Sequence, residues 1–525
     1  LEIRKINVWK ILTHILIGLI ISPIIYIIIN SFKANSELTN HIFENLLKEY
    51  VVNTVFILFP TVFLTFIIGV GLAYFETFYD FKFRNFFRYT NFLSFAIPSY
   101  LFAYIYVDFL TGPLYVFLKK NGINLYLDIA NIKGAIAILS ISFYPYVYIT
   151  SRAYMKRISM DLIYSSKLLG LSTFQTLYKI ILPVSRPAII TGLMLVIMET
   201  LNAFGVPFFF GIRVFSTGIY DSWINNYDLD GANKLSVILI VIVLAFLFIE
   251  KLSRRKIKYY TGKNTKIKRE KLKGIKHVLV LIFFFTVFFF TLLFPIMYIF
   301  RWVYLSIGYV YIKDVLINTK NTLSILFYTA IFVLIVVLFL TNVNRLAKRK
   351  WIINKLVSVG YSIPGSVIAV GFLSIFIGID LFLINRGIIE SITLIKSPLI
   401  LIFAYTTRFL SLAYTPIEAS IEKNGNSLHE SSRLLGMSKL KTFFKVDIFM
   451  QKTAIISAML LLSIEIIKEM PLAAILLTNT TLSIQMKNYA SDEELVLVGT
   501  PALILISITL ILIGIYNYFD MKGED

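Results

Sequence analysis

The sequence predicts an all-α polytopic membrane protein made of two homologous six-helix halves, and three observations predict it. First, the chain of 525 residues is 58% hydrophobic with a mean hydropathy of +0.78, and its apolar runs have the ~20-residue length a helix needs to cross a bilayer. Second, a basic stretch at Lys251–Lys276, with twelve Lys/Arg against the single acid Glu270, divides those runs six and six. Third, "SSKLLGLS" at Ser165–Ser172 and "SSRLLGMS" at Ser431–Ser438 recur 266 residues apart.

In order, the spans lie near 9–29, 51–76, 91–117, 133–151, 185–210 and 233–250, then near 277–300, 321–342, 353–378, 396–415, 453–477 and 499–518. The first follows Arg4, Lys5 and Lys10, as a signal peptide would. No small-x-small cleavage site follows it, so a retained first helix is expected. The chain opens on Leu1 rather than methionine, and the expectation is a start that is missing or non-standard. Lys251–Lys276 cannot enter hydrocarbon and is expected to be a cytoplasmic linker between halves at 1–250 and 277–525. Six spans on each side then place both termini inside. On the same count the loops after the second and fourth spans are cytoplasmic. They carry Lys82, Arg84 and Arg88, then Arg152, Lys156, Arg157 and Lys167, with Arg345, Lys348, Arg349 and Lys350 in the second half.

Composition narrows the function. A formal net charge of +21 suits basic loops facing anionic lipid better than it suits nucleic acid. The absence of cysteine excludes disulfides, thiolate metal sites and cysteine nucleophiles. The scattered His14, His41, His277 and His429 suggest no metal cluster, and no nucleophile–base or paired-carboxylate group marks a membrane enzyme.

The halves also align as sequence. "NTVFILF" at Asn53 matches "NTLSILF" at Asn321, and "AIPSY" around Pro98 matches "SIPGS" around Pro364. Over Asp161–Asn202 against Ser427–Lys468, 14 of 42 positions are identical at a constant offset of 266. The matches include Gly170, Lys179 and Glu199 against Gly436, Lys445 and Glu465, which apolar composition alone does not explain. Six spans return the chain to the same side, so the second half is a parallel copy. Each repeated segment reads as a short amphipathic helix with an apolar edge, Leu168–Leu169 or Leu434–Leu435, closed by a glycine suited to a left-handed helix end. A helix resting on lipid shares that outline, but it would not need the same glycine and serines twice.

These segments, "DLIYSSKLLGLSTFQTLYKIILP" and "SLHESSRLLGMSKLKTFFKVDIF", resemble the cytoplasmic EAA loop of permease subunits in binding-protein-dependent ABC importers. That pattern is E-A-A, three residues, then G, with an I-x-L-P type ending. The matching positions are Tyr164, Ser165, Ser166 and Gly170 with Leu182 and Pro183, then Glu430, Ser431, Ser432 and Gly436. Tyr164 replaces the first-copy Glu, serines replace the alanines, and Ile448–Phe449 stands where the first copy has Leu-Pro. The resemblance implies that each loop is a coupling helix docking into an ATPase cleft, so that one chain presents two helices to an ATPase dimer. "TGKNTK" at Thr261 lacks the Walker A frame. ATP and Mg are therefore expected on a separate subunit, with no cofactor bound by this chain.

Longer stretches, "AIPSYLFAYIYVDFLTGPL", "GAIAILSISFYPYVYITSRAY", "METLNAFGVPFFFGIRVFSTGIYDSW" and "KEMPLAAILL", are similar to the fused two-halved permeases of ferric-iron ABC importers. The similarity runs over most of the chain. It implies a type I ABC importer permease fold in a bacterial inner membrane, an external substrate-binding protein and ferric iron as cargo. Related fused permeases are associated with thiamine, aminoethylphosphonate and phosphosugar. A secondary transporter also has paired six-helix halves, yet needs neither nucleotide nor the two loops.

Glu199 and Glu465 stand at equivalent positions of the fifth spans, and Glu469 follows Glu465 by one helical turn, which predicts a shared helix face. Ionised groups in hydrocarbon are costly and face a path or a partner. A cation path is one reading. The other is structural: Glu465 paired with Lys468, or carboxyls bonded to backbone at a break near Pro471. Pro98, Pro145, Pro364 and Pro471 fit broken helices along a path or ordinary packing. Tyr144, Tyr146 and Tyr148, spaced by two, cannot share one helix face and are read as packing or interfacial residues rather than an iron-phenolate site.

Overall fold

Backbone polar groups in hydrocarbon find no water, so spans this apolar must be helices. The computed structural model describes residues 8–32, 36–254, 269–346, 357, 360–425, 427–476 and 480–524. The first half has spans Val8–Asn30, Leu47–Phe78, Ser99–Thr111, Ile132–Met155, Leu182–Asn202 and Leu229–Arg254. The second has Gly274–Phe288, continued through a π turn by Phe294–Ser306, then Ile312–Leu346, Gly365–Asn385, Pro398–Asn424, Lys452–Lys468 and Gly499–Glu524. Among the described residues eleven helices are long and apolar enough to cross a membrane, and Leu440–Met450 with Lys452–Lys468, bent by 71°, makes a twelfth. Most of the linker, together with Lys348–Lys350 and Leu1, lies outside the described residues.

The outer surface is apolar in stripes. Phe56, Phe59 and Phe63 of the second span recur at helical spacing and all point outward, which suits contact with lipid chains.

Three of the four prolines stand at helix breaks. Ile97 and Pro98 are extended before Ser99–Thr111, and Pro364 is extended before Gly365–Asn385. Pro471 opens a short helix, Pro471–Leu476, after the chain leaves the helix at Glu469 (φ −68°, ψ 127°). The fifth span of the first half breaks at the equivalent place, with Ala203 at φ −60° and ψ 116° before Gly205–Phe209. Pro145, by contrast, lies inside the continuous helix Ile132–Met155 and serves packing. The break also corrects the expected shared face of Glu465 and Glu469. The helix ends at Lys468, so Glu469 leaves the helical register and turns its carboxylate toward another span.

Each half is built around its second, fourth and fifth spans, which pack on one another. The halves interlock because the first span of each packs against the third span of the other. Small residues make these approaches close. A Cβ on Gly371 would lie 2.7 Å from Pro23 Cβ of the opposite half's first span. In the first half the fourth span is clasped at Val147 from two sides. A Cβ on Gly69 would come 2.7 Å from Val147 Cβ, and one on Gly192 would come 2.8 Å from Val147 Cα. Such contacts drive helix association in lipid, where no hydrophobic effect acts between helices. Gly69→Val should therefore overpack this seam by about 1–3 kcal/mol, measured as a lower thermal midpoint of the detergent-solubilised protein. Gly18→Val, where a Cβ meets nothing within 4 Å, should leave that midpoint unchanged.

Candidate functional site

The two fifth-span breaks and the Pro98 break line a central cavity of about 80 Å³, bounded among others by Tyr100, Tyr146, Glu199, Asn202, Glu465 and Glu469. The space holds a few water molecules, not a hydrated solute. Glu199 accepts a hydrogen bond from the Tyr361 hydroxyl at 3.3 Å, across the two halves. Glu465 accepts from Lys468 Nζ at 3.2 Å, and that ammonium lies 3.6 Å above the Phe95 ring and donates to the Phe95 carbonyl at 3.4 Å. Glu469 accepts from Leu472 N at 3.3 Å, at the start of the short helix, and sits 3.6 Å from Arg408 Nε. Arg408 is a buried cation in mid-span, and its Nη1 donates to Asn202 Oδ1 at 2.8 Å. The same oxygen accepts from Gly365 N at 2.6 Å. Three carboxyl groups thus stand beside two basic side chains. Among the described residues no three His, Asp or Glu side chains converge as a metal-holding group.

The tyrosines divide. Tyr144 bonds Ser94 and Asn91, and Tyr148 donates to Glu76 at 2.5 Å, both as packing residues. Tyr146 lines the cavity against the edge of Phe95.

The repeated segments fold alike. Each forms a short helix, Met160–Leu168 or Ser427–Leu434. Each closes with a left-handed glycine, Gly170 at φ 78° or Gly436 at φ 85°. The turns carry the same paired bonds: Leu171 N to Ser166 O and Gly170 N to Lys167 O, then Met437 N to Ser432 O and Gly436 N to Arg433 O. These are Schellman caps, which require positive φ at the glycine. Ser166 and Ser432 are buried and bond Thr176 and Thr442, each at 3.0 Å, anchoring the helix to the segment that follows. Tyr164, Ser165, Glu430 and Ser431 lie on the more open faces. The leucine pairs stand out into solvent, Leu168 and Leu169 at 88% and 81% exposure, Leu434 and Leu435 at 88% and 85%. Apolar residues so exposed on a polar loop suit contact with a protein partner or with the membrane surface.

The family described as the inner membrane component of binding-protein-dependent transport systems matches residues 65–257 and again residues 338–522. The chain belongs to that family. One matched block begins in the second span of each half, at residues 65 and 338, so this ABC importer permease carries the family's domain twice. It is 23% identical over 518 residues, 96% of each chain, to the Fe(3+)-transport system permease protein FbpB 2 of Haemophilus influenzae. It is 28% identical over 193 residues to the probable sulfate transport system permease protein cysT of Prototheca wickerhamii, which covers 35% of this chain and 73% of that protein.

Several residues of the permease's polar architecture escaped sequence reading. Arg408, Asn202 and Tyr361 sit in apolar stretches, and only the repeat alignment signals them. At the offset of 266 they stand opposite Ser142, Lys468 and Phe95, so the two halves differ there in charge. Arg152, read as a loop charge, is drawn inward with its Nε 2.5 Å from the buried Glu76. In the second half Asn344 donates to Tyr414 and Glu418 at the matching place.

The end of the linker was read only as cytoplasmic charge. Glu270–Lys271 instead pairs in parallel with Tyr79–Asp80, and Leu272 N donates to Asp80 O at 3.1 Å. The Glu270 carboxylate accepts from Lys167 of the first repeated helix. This half-exposed pair is worth up to about 1 kcal/mol. Glu270→Gln should therefore raise hydrogen exchange across residues 160–171 by up to about fivefold, while residues 427–437 keep their rates.

Proposed function

We propose that this permease conducts ferric iron from an extracytoplasmic binding protein across a bacterial inner membrane. A separate ATPase dimer, using ATP and Mg, drives it through the two leucine-bearing loops. Both termini and the linker lie on the cytoplasmic side in this reading. The observation that carries the cargo assignment is the lining of the cavity by Glu199, Glu465 and Glu469. Carboxyl groups can ionise, or exchange a proton for a passing cation, whereas they offer a sulfate-like anion no matching charge. The full-length similarity to a ferric permease, against a one-half similarity to a sulfate permease, supports the same choice.

In this reading the halves alternate in access, and the geometry suits it. Exposed leucines take up motion from the ATPase, anchored Ser–Thr contacts pass it to the following segment, and that segment leads into each broken fifth span. Separation of the breaks widens the cavity beyond its present capacity of a few waters.

The complex, reconstituted in proteoliposomes with its ATPase and binding protein, should take up radioactive ferric iron and not radioactive sulfate when ATP is present. Uptake of sulfate without iron would overturn the cargo. In the same vesicles Glu199→Gln or Glu465→Gln should slow iron uptake roughly tenfold, the effect of about 1.4 kcal/mol at the transition state. Expression should stay intact.

Coupling has its own test. Neither Gly170 nor Gly436 has an atom within 4 Å of where a Cβ would stand. Only the left-handed backbone, which costs an L residue about 1–2 kcal/mol, opposes substitution within the chain. Gly170→Val or Gly436→Val should insert normally yet lose substrate-stimulated ATP hydrolysis. Glu430 stands in the second loop where the first has Tyr164, so the second variant should be the more sensitive to salt. Full stimulated hydrolysis in both variants would return these loops to lipid-surface helices.

A further inference from the structure

At the level of the fifth-span breaks, one side-chain oxygen of the first half is held by two donors of the second. Asn202 ends the helix Leu182–Asn202 and is buried. Its Oδ1 accepts from Arg408 Nη1 at 2.8 Å and from Gly365 N at 2.6 Å. Both donors belong to the second half, and both are themselves fixed. Arg408 is held beside Glu469 at 3.6 Å, and Gly365 begins a helix directly after the extended Pro364. The socket also dictates the glycine. A Cβ at position 365 would stand 2.5 Å from Arg408 Nη1 and 2.7 Å from Glu469 Oε1. Any other residue would push the guanidinium off the amide.

The internal repeat does not reproduce this arrangement. The offset of 266 places Lys468 opposite Asn202 and Ser142 opposite Arg408. Lys468 binds within its own half to Glu465 and meets the first half only through the carbonyl and ring of Phe95. The seat of Asn202 is thus a one-sided fastening, with no counterpart at the repeat-related position, between halves that are otherwise related by repetition. A buried guanidinium is expensive in a membrane, and lone packing would be served as well by apolar residues. The charge gains something only if the contact must be directional and reversible.

We infer that Asn202 is the tongue of a latch whose catch is Arg408 and Gly365 N, and that this latch holds the two halves closed until the ATPase separates them. When the halves part, Arg408 stays neutralised by Glu469 in its own half. The two bonds to Asn202 Oδ1 break, together with the neighbouring Tyr361–Glu199 and Lys468–Phe95 contacts, and Arg408 keeps its carboxylate partner. One amide oxygen therefore contributes a tunable part of the energy of opening. The latch rests on membership of the permease family and not on ferric iron.

The test changes that oxygen in both directions, using the full chain reconstituted with its ATPase and reading ATP hydrolysis with and without binding protein. Asn202→Asp keeps the shape and presents a carboxylate to the same two donors. It should hold the latch shut and lower binding-protein-stimulated hydrolysis roughly tenfold, the scale of a strengthened hydrogen bond to a charged group. Asn202→Leu removes the acceptor and should raise basal hydrolysis without binding protein by a similar roughly tenfold factor. If the leucine variant is not recovered folded, Asn202→Ser supplies the weakened tongue. Opposite shifts in the two variants support the latch. Shifts in the same direction, or hydrolysis unchanged in both, overturn it and leave Asn202 as a packing residue. Hydrolysis is read without regard to cargo, so a failed iron assay and a failed latch are distinguishable.

Discussion

The structure depends on a helix being interrupted in hydrocarbon. Breaking the fifth spans after Asn202 and Lys468 releases backbone groups that lipid cannot satisfy, and the fold answers with side chains and short following helices. Leu472 N finds Glu469, Ser483 Oγ donates to the Glu469 carbonyl, and Ser216 Oγ donates to the Ala203 carbonyl. Polar residues that would otherwise be excluded from the bilayer are thereby concentrated at one level between the halves. Cavity, acidic lining and inter-half bonds all follow from that one interruption.

Duplication supplied the frame, and divergence supplied the function. The shared features are those of the repeated loops: the Schellman turn, the outward leucines and the buried Ser–Thr bond. Around them each half is held differently. Ile163 and Ile181 are both buried in the first half, while the equivalent His429 and Asp447 form a polar contact at 2.9 Å in the second. Glu76 and Arg152 form an ion pair where the second half has Asn344 and Glu418 in a hydrogen bond. The linker clasps only the first loop, through Glu270 and Lys167. Two copies of one helix thus stand on unequal supports, so a displacement of the loops need not be divided equally between the halves.

The sequence by itself determined the class, the count of spans and the two loops. Those properties rest on local signals: apolar runs of bilayer length, a block of charge, and a glycine whose left-handed turn is encoded within a few residues. It also located Glu199 and Glu465 through the repeat, and the pairing of Glu465 with Lys468, because i to i+3 geometry is local. What only the tertiary structure decided is which distant groups meet. That Pro145 continues a helix while Pro471 follows a break depends on neighbours that can or cannot satisfy the freed backbone. That Glu469 faces Arg408, 61 residues earlier in the chain, depends on a helix end that no periodicity announces. Arg408, Asn202 and Gly365 lie on three different spans, and no spacing in the sequence relates them. A buried charge in lipid must find its partner in three dimensions, and that requirement was met by packing, not by pattern.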